Sequence, residues 1–432
     1  MTKIKFVNHA SYIIYHDKIC LITDPWIEGT AFNKGWSLIE PTKFKYSDFS
    51  EITHIWFSHE HPDHFSPANL KNIPLEIRKN ITILFHKTKD KKVINFCKQL
   101  DFKECIELPT TWFELSQDFK ILNIPHNDGD SWMCVKAGDF TLLNINDCVL
   151  EDDKQVYQIK RKINSKKIDV LFTQFSYANW AGNKEDKETR KKFAAKKIRE
   201  IERQVSIFQP TYTIPFASFV WFCHEENFYM NDEINKIDYV YNHLKEKLNT
   251  TPIILFPSEE WDIKSEHNSI ASIQKWINSY NLNIVAEKTI KSSFIKQTDL
   301  IELGNDFIKN LIRNNTKWMY LFLKPSYIFI EDHNCSYKLS LRGFEKVERN
   351  QENCDISMSS DSLLYCFKFL WGGSTTRING RYQVPKHGKF YNWKLYFQIS
   401  ELNNHGEKFD LKFILNSFYR NLRRKIYVRQ LR

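Results

Sequence analysis

The chain has 432 residues, 42% of them hydrophobic and 15% aromatic, with a formal charge of +10. That length implies at least two domains, and the apolar content excludes wholesale disorder. The charge excess favours anionic partners without choosing among phosphates, nucleotides, sugar acids and nucleic acid, and a solvated basic surface would give the same number.

In chain order, Ile4–Val7, Ser11–Tyr15 and Ile19–Thr23 read as short strands. Thr53–Ser58 is a further apolar run that feeds directly into a histidine cluster, the usual way an α/β fold carries chemistry on a loop. Ile81–His86 and Phe119–Pro125 follow as strands, and Trp132–Lys136 with Phe140–Asn144 form a hairpin around Gly138-Asp139. Ile168–Phe172 is one more buried strand. Lys184–Phe208 is the clearest helix, because Ala194, Ile198, Ile201, Val205 and Phe208 recur at helical spacing, and Pro210 ends it.

The pattern changes after Pro257, so the expected domains are 1–260, a linking helical segment 261–315, and a smaller α+β domain 316–432. In the last, Trp318–Leu323, Ser326–Glu331, Ser336–Leu341 and Ile378–Val384 read as strands, Ser362–Leu370 as a helix, and Gly372-Gly373 as a turn. Arg420–Arg432 reads as a basic C-terminal helix. Nine widely spaced cysteines with no CxxC pair predict no disulfide framework and a reducing, cytoplasmic setting. MTKIKFVNHA has no signal-peptide core, and no run approaches the roughly 18 apolar residues of a membrane span.

The chemistry concentrates in Ser58-His59-Glu60-His61-Pro62-Asp63-His64. His59 and His61, two apart at a strand end, point the same way and can chelate one ion. Asp63 and His64, past the turn at Pro62, can face a second. Imidazole and carboxylate suit zinc, iron or manganese, and packing alone would not gather so many costly polar groups.

This HEHPDH segment resembles the HxHxDH hallmark of the metallo-β-lactamase superfamily, and the resemblance extends over roughly residues 1–260. It implies an αββα sandwich holding two divalent metal ions, zinc or iron, at one sheet edge. It also implies three further ligands: His126 after the strand Phe119–Pro125, a bridging Asp147 after Phe140–Asn144, and a final His224, with His243 as a rival. Asp128 and Asp130 are expected to line the pocket or cap a turn. Asp63 is expected to orient water as well as bind metal, Asp24 to support the motif loop, and His9 to lie near the metals.

His9-Ala10-Ser11, Thr23-Asp24-Pro25-Trp26, Asn144-Ile145-Asn146-Asp147-Cys148 and Pro215-Phe216-Ala217 are similar to the branch of CMP-N-acetylneuraminate hydroxylases. That branch implies iron and O₂ chemistry fed by a Rieske centre, yet the 432 residues hold no paired Cys-x-His and Cys-x-x-His ligands. An oxygenase would then take electrons from a separate protein. Asp355–Leu364 with Ile378-Asn379-Gly380-Arg381 resembles the sterol-carrier type of domain.

The leading expectation is a dinuclear-metal hydrolase acting on a small anionic, sugar- or nucleotide-related substrate. The alternative is a diiron hydroxylase. With no RNA-processing motif and no basic–aromatic stripe, nucleic acid is not an expected partner.

Overall fold

The computed structural model describes residues 2–126, 129–165 and 167–415. The basic tail and Asp128 therefore lie outside the described residues. Contacts divide the chain into two units: Met1–Ala181 with Asp186–Cys223 and Phe228–Thr289, and Gly182–Glu185 with His224–Asn227 and Ile290 onward. The expected linking segment is thereby shared out. Helix Ser269–Asn283 falls in the first unit and helix Gln297–Asn314 in the second.

The first unit is built on two seven-stranded sheets. One runs Glu260–Asp262, Thr2–Asn8, Ser11–His16, Ile19–Thr23, His54–Trp56, Thr82–His86, Glu104–Leu108, and is antiparallel up to Ile19–Thr23 and parallel beyond. The other runs Thr251–Pro252, Tyr212–Phe216, Val170–Gln174, Phe140–Asn144, Ser131–Ala137, Phe119–Pro125, Phe113–Ser116. Strands buried on both faces read as continuous apolar runs, which is why SYIIYH and TILFH carry so little alternation.

Tyr12 stacks on Phe172 with ring centroids 4.0 Å apart, and the Trp56 indole donates to Asn123 Oδ1, so the sheets face each other. On the outer face of the first sheet Ile13, Ile22, Ile55, Ile83 and Phe85 share one core with Leu70, Val93, Ile94 and Cys97 from the helices Pro67–Asn72 and Lys92–Gln99. Helices Asp153–Ile163 and Lys187–Phe208 cover the second sheet, the latter through Ile198, Ile201 and Val205. The layer order is helix, sheet, sheet, helix.

The second unit holds a four-stranded sheet ordered Gly343–Val347, Cys335–Ser340, Ser326–Ile330, Ile356–Met358. Its helices pack by aromatic contact, Phe307 on Phe397 at 4.9 Å between centroids, and Phe367 packs on Phe344 of the sheet at 5.2 Å. Two expected strands differ here. Lys317–Leu321 is a 3-10 turn with most side chains outward and no partner strand, since a short apolar run does not by itself distinguish strand from helix. The Gly-Gly pair opens a helix, Gly372–Asn379, and Gly380 at φ +66° caps it, which leaves residues 381–384 only the single bridge Gln383–Ser357.

Burial pushes two imidazoles of the first sheet, His54 and His86, down to about 4. An unfolded histidine titrates near 6.5, so between these values the unfolded chain binds more protons and stability rises with pH. The urea midpoint is accordingly expected to be steady above about pH 6.5 and to fall as pH drops through that window towards about 4. A His54→Asn/His86→Asn variant with an equally steep fall would show that other groups govern it.

Candidate metal centre

Every element that brings chemistry to the centre ends there. Strand Thr2–Asn8 delivers His9, Ile19–Thr23 delivers Asp24, His54–Trp56 delivers the histidine motif, Phe140–Asn144 delivers Asp147, and Tyr212–Phe216 delivers Ala217. The C-terminal ends of parallel strands are where open α/β sheets hold ligands. The motif loop turns sharply, with His64 N and Phe65 N both donating to His61 O, which places Asp63 and His64 past the corner.

Three groups of side chains could each hold a metal ion, with their ligand atoms within 4.8 Å of one another: His9, Asp63 and His64; His59, His61 and Asp130; His59, His64 and Asp147. His59 Nε2 lies 2.8 Å from His61 Nδ1 and 3.7 Å from Asp130 Oδ1. His9 Nε2 is 3.3 Å from Asp63 Oδ2. His64 Nε2 stands 3.2 Å from Asp63 and 3.5 Å from Asp147, without the alignment of a hydrogen bond. Asp147 joins His59 and His64, one histidine from each of the other two groups.

Behind these atoms is a fixed support. Asp24, with no exposure at all, accepts from Ser58 N at 2.7 Å, Ser58 Oγ at 2.8 Å, His64 Nδ1 at 3.0 Å and Asn146 Nδ2 at 2.7 Å. As a carboxylate it only accepts, so the Ser58 hydroxyl proton goes to Asp24 and Ser58 Oγ accepts from His59 Nδ1 at 2.9 Å. With Nδ1 donating, each ring in its neutral form would turn the Nε2 lone pair to the centre, as metal-binding imidazoles do. Gln174 Nε2 donates to Asp147 Oδ1 at 3.2 Å, and Lys197 holds the far side of that amide at 2.5 Å. His9, Asp24, Asn146 and Ala217 all have left-handed φ, at 44°, 37°, 51° and 52°. Strained backbone of this kind persists where surroundings enforce it and gathers at functional sites.

The electrostatics suit a cation. Burial, with His64 and His61 adding to it, holds His59 well below the ordinary imidazole value, so it is a neutral donor. Burial opposes ionisation of Asp63, but His64 and His9 outweigh it and hold the carboxyl well below the usual range. Burial likewise opposes charge on His64, yet Asp63, Asp147 and Asp24 together hold it well above its usual value. The positive charge drawn to His64 is what a metal ion would provide. Buried Asp63 Oδ1, His64 Nε2 and His9 Nδ1 have no hydrogen-bond partner, the condition of atoms kept for another ligand.

Of the residues expected from sequence, the structure brings His9, His59, His61, Asp63, His64 and Asp147 together. Neither His126 nor His224 is in any of the three groups. His126 Nε2 points to the Val149 carbonyl at 3.1 Å, and Asp130 joins His59 and His61 from the same loop. His224 belongs to the second unit, buried beside Glu226, whose carboxylate pairs with Arg381 at 2.7 Å. Burial, reinforced by Arg381, pushes His224 down to about 4. His243 pairs with Glu202 at 2.9 Å. Ser58, Asn146, Gln174 and Lys197 carry no metal-ligand signature, and sequence reasoning passed over their supporting roles.

An αββα sandwich with a buried His/Asp cluster at its strand ends is the arrangement of the metallo-β-lactamase fold. Residues 3–198 match the sequence model of the beta-lactamase superfamily domain. Among curated proteins, the cytidine monophosphate-N-acetylneuraminic acid hydroxylase of Asterias rubens is 22% identical over 258 residues, covering 55% of this chain and 37% of its own. The inactive cytidine monophosphate-N-acetylneuraminic acid hydroxylase of Homo sapiens is 22% identical over 252 residues, covering 55% and 48%. The chain thus spans less than half the length of these relatives. Among solved structures, CmlA, a diiron β-hydroxylase from Streptomyces venezuelae, aligns with a TM-score of 0.42 at 13% identity, covering 60% of this chain and 54% of its own.

Proposed function

We propose that the first unit is a dinuclear-metal hydrolase acting on a small anionic substrate. The observation that carries this reading is the set of three overlapping His/Asp groups, with Asp147 common to a histidine of each neighbouring group. His59, His61 and Asp130 would hold one ion, Asp63 and His64 the other, and Asp147 would lie between them. Bound divalent cations would supply Lewis-acid charge and make water acidic enough to attack near neutral pH.

The chain's own residues do the rest. Asp63 keeps Oδ2 against His9 and leaves Oδ1 without a partner, so Oδ1 is the atom it would turn to a bound ion or to the water it orients. His9 holds that carboxylate in orientation from its strained backbone position, with its own amide fixed by Asn8 Oδ1 at 2.9 Å. Gln174 and Lys197 hold Asp147 so that Oδ2 faces His64. The net charge of +10 supports an anionic substrate.

A second reading, a diiron hydroxylase, takes its support from the word hydroxylase in the name of the Asterias rubens relative that matches this part of the chain. It would need a source of electrons. The two are separated by preparing the protein with zinc and, anaerobically, with iron. The hydrolase reading expects zinc-supported turnover in a screen of esters, lactones and phosphodiesters. Substrate-dependent O₂ uptake by the iron form, with no hydrolysis by either form, would replace it with the hydroxylase.

A further inference from the structure

The second unit exposes large apolar side chains at one end of its fold. Trp318, Tyr320, Leu321 and Phe322 are exposed on the turn after helix Gln297–Asn314, and Phe369 and Leu370 on the segment between two later helices. Both stretches pack against residues 404–409. The Phe322 ring lies 5.6 Å from Phe409, Thr316 Oγ1 donates to Phe409 O at 2.9 Å, Asn404 Nδ2 donates to Leu370 O, and Trp371 packs on His405 at 4.9 Å. Leu321 is 72% exposed and Leu370 65%, so the patch is not merely the rim of a core. A cluster of this size and composition marks an interaction surface.

Its charges are one-sided. Lys317, Lys324, Lys368, Lys408 and Lys412 are exposed on the same segments, against only Glu407 and Asp410, and Asp410 is engaged in capping Phe413 N. A second copy of this chain is a poor occupant, because a two-fold contact would set lysines against lysines. Protein interfaces also tend to exclude lysine from their centres. Trp, Tyr, Phe and Leu rimmed by lysine suit a lipid surface: the rings and leucines enter the headgroup boundary while the lysine stems lie along it and their charges meet anionic headgroups. Among the described residues no helix is long and apolar enough to cross a membrane, so the contact would be peripheral.

We propose that this end of the second unit docks on an anionic phospholipid surface, with Trp318, Leu321 and Phe322 entering the headgroup layer and the surrounding lysines setting the preference for negative charge. Apolar burial and charge are each weak anchors alone and add to a stable one together.

The test is flotation of the full chain with phosphatidylcholine vesicles in which roughly one lipid in three is phosphatidylserine. Binding is expected there, about tenfold weaker to pure phosphatidylcholine or in about 1 M salt. Leu321→Glu/Phe322→Glu is expected to weaken it by a further tenfold or more, with an unchanged melting temperature showing the fold intact. Acyl-chain bromination is expected to quench part of the tryptophan emission, and Trp318→Phe to remove that part. No flotation with either vesicle would overturn the proposal. So would equal binding by the double variant, which would assign the contact to basic residues alone. A concentration-dependent dimer broken by the same variant, without vesicle binding, would give the surface to a second copy.

Discussion

Asp24→Ala is expected to destabilise the protein by about 3–5 kcal/mol, more than any ordinary surface substitution. Four donors converge on this one buried carboxylate, from Ser58 N, Ser58 Oγ, His64 and Asn146. Alanine would strand them all in a place water does not reach, and each orphaned buried donor costs about 1–3 kcal/mol. The loss also spreads, because Asn146 precedes Asp147 and Ser58 precedes His59, so both loops of the candidate centre lose one anchor together. Asp24→Asn keeps the volume but presents an NH₂ group to donors, and should lie between the two. Urea unfolding checks this. A loss below about 1 kcal/mol for the alanine variant would show that the four hydrogen bonds do not act as a unit.

His59→Ala is expected to weaken metal binding on the order of a hundredfold or more while leaving the sheets folded. His59 belongs to two of the three candidate groups, so its removal thins both ends of the centre at once. Its ring is held by Ser58 and carries no role in the core beyond the cluster. Competition against a chromophoric chelator measures the affinity. The same ions should raise the melting temperature of the wild type by mass action and do so far less in the variant. Equal stabilisation of both proteins by added metal would place binding elsewhere on the chain.

Much of the centre was legible because its donors sit close together in sequence. HEHPDH puts four of them within six residues at a strand end, and Asp24 and Asp147 each follow an apolar run that reads as a buried strand. The Pro125–Asp130 loop was less legible. Pairing of Pro125 with Ser131 closes it, and His126 N donates to Asp130 O at 2.7 Å, which turns the His126 ring to Val149 and brings Asp130 toward His59. That outcome depends on strand register, which residue type does not disclose. His224 shows a different difficulty: beside the local Glu226, its neighbours Asp361 and Arg381 come from distant segments of the second unit. The two sheets were readable as runs of apolar residues, whereas the helix Asp153–Ile163, dense in lysine and arginine, was hidden by its polar face.

The most direct test of the two-metal centre is the metal-to-protein ratio of the purified wild-type chain, by elemental analysis after incubation with zinc or, anaerobically, with ferrous iron. The geometry of the three overlapping groups leads to about two ions per chain retained through desalting. A folded protein that leaves the column with neither ion would contradict the account, whatever its other activities.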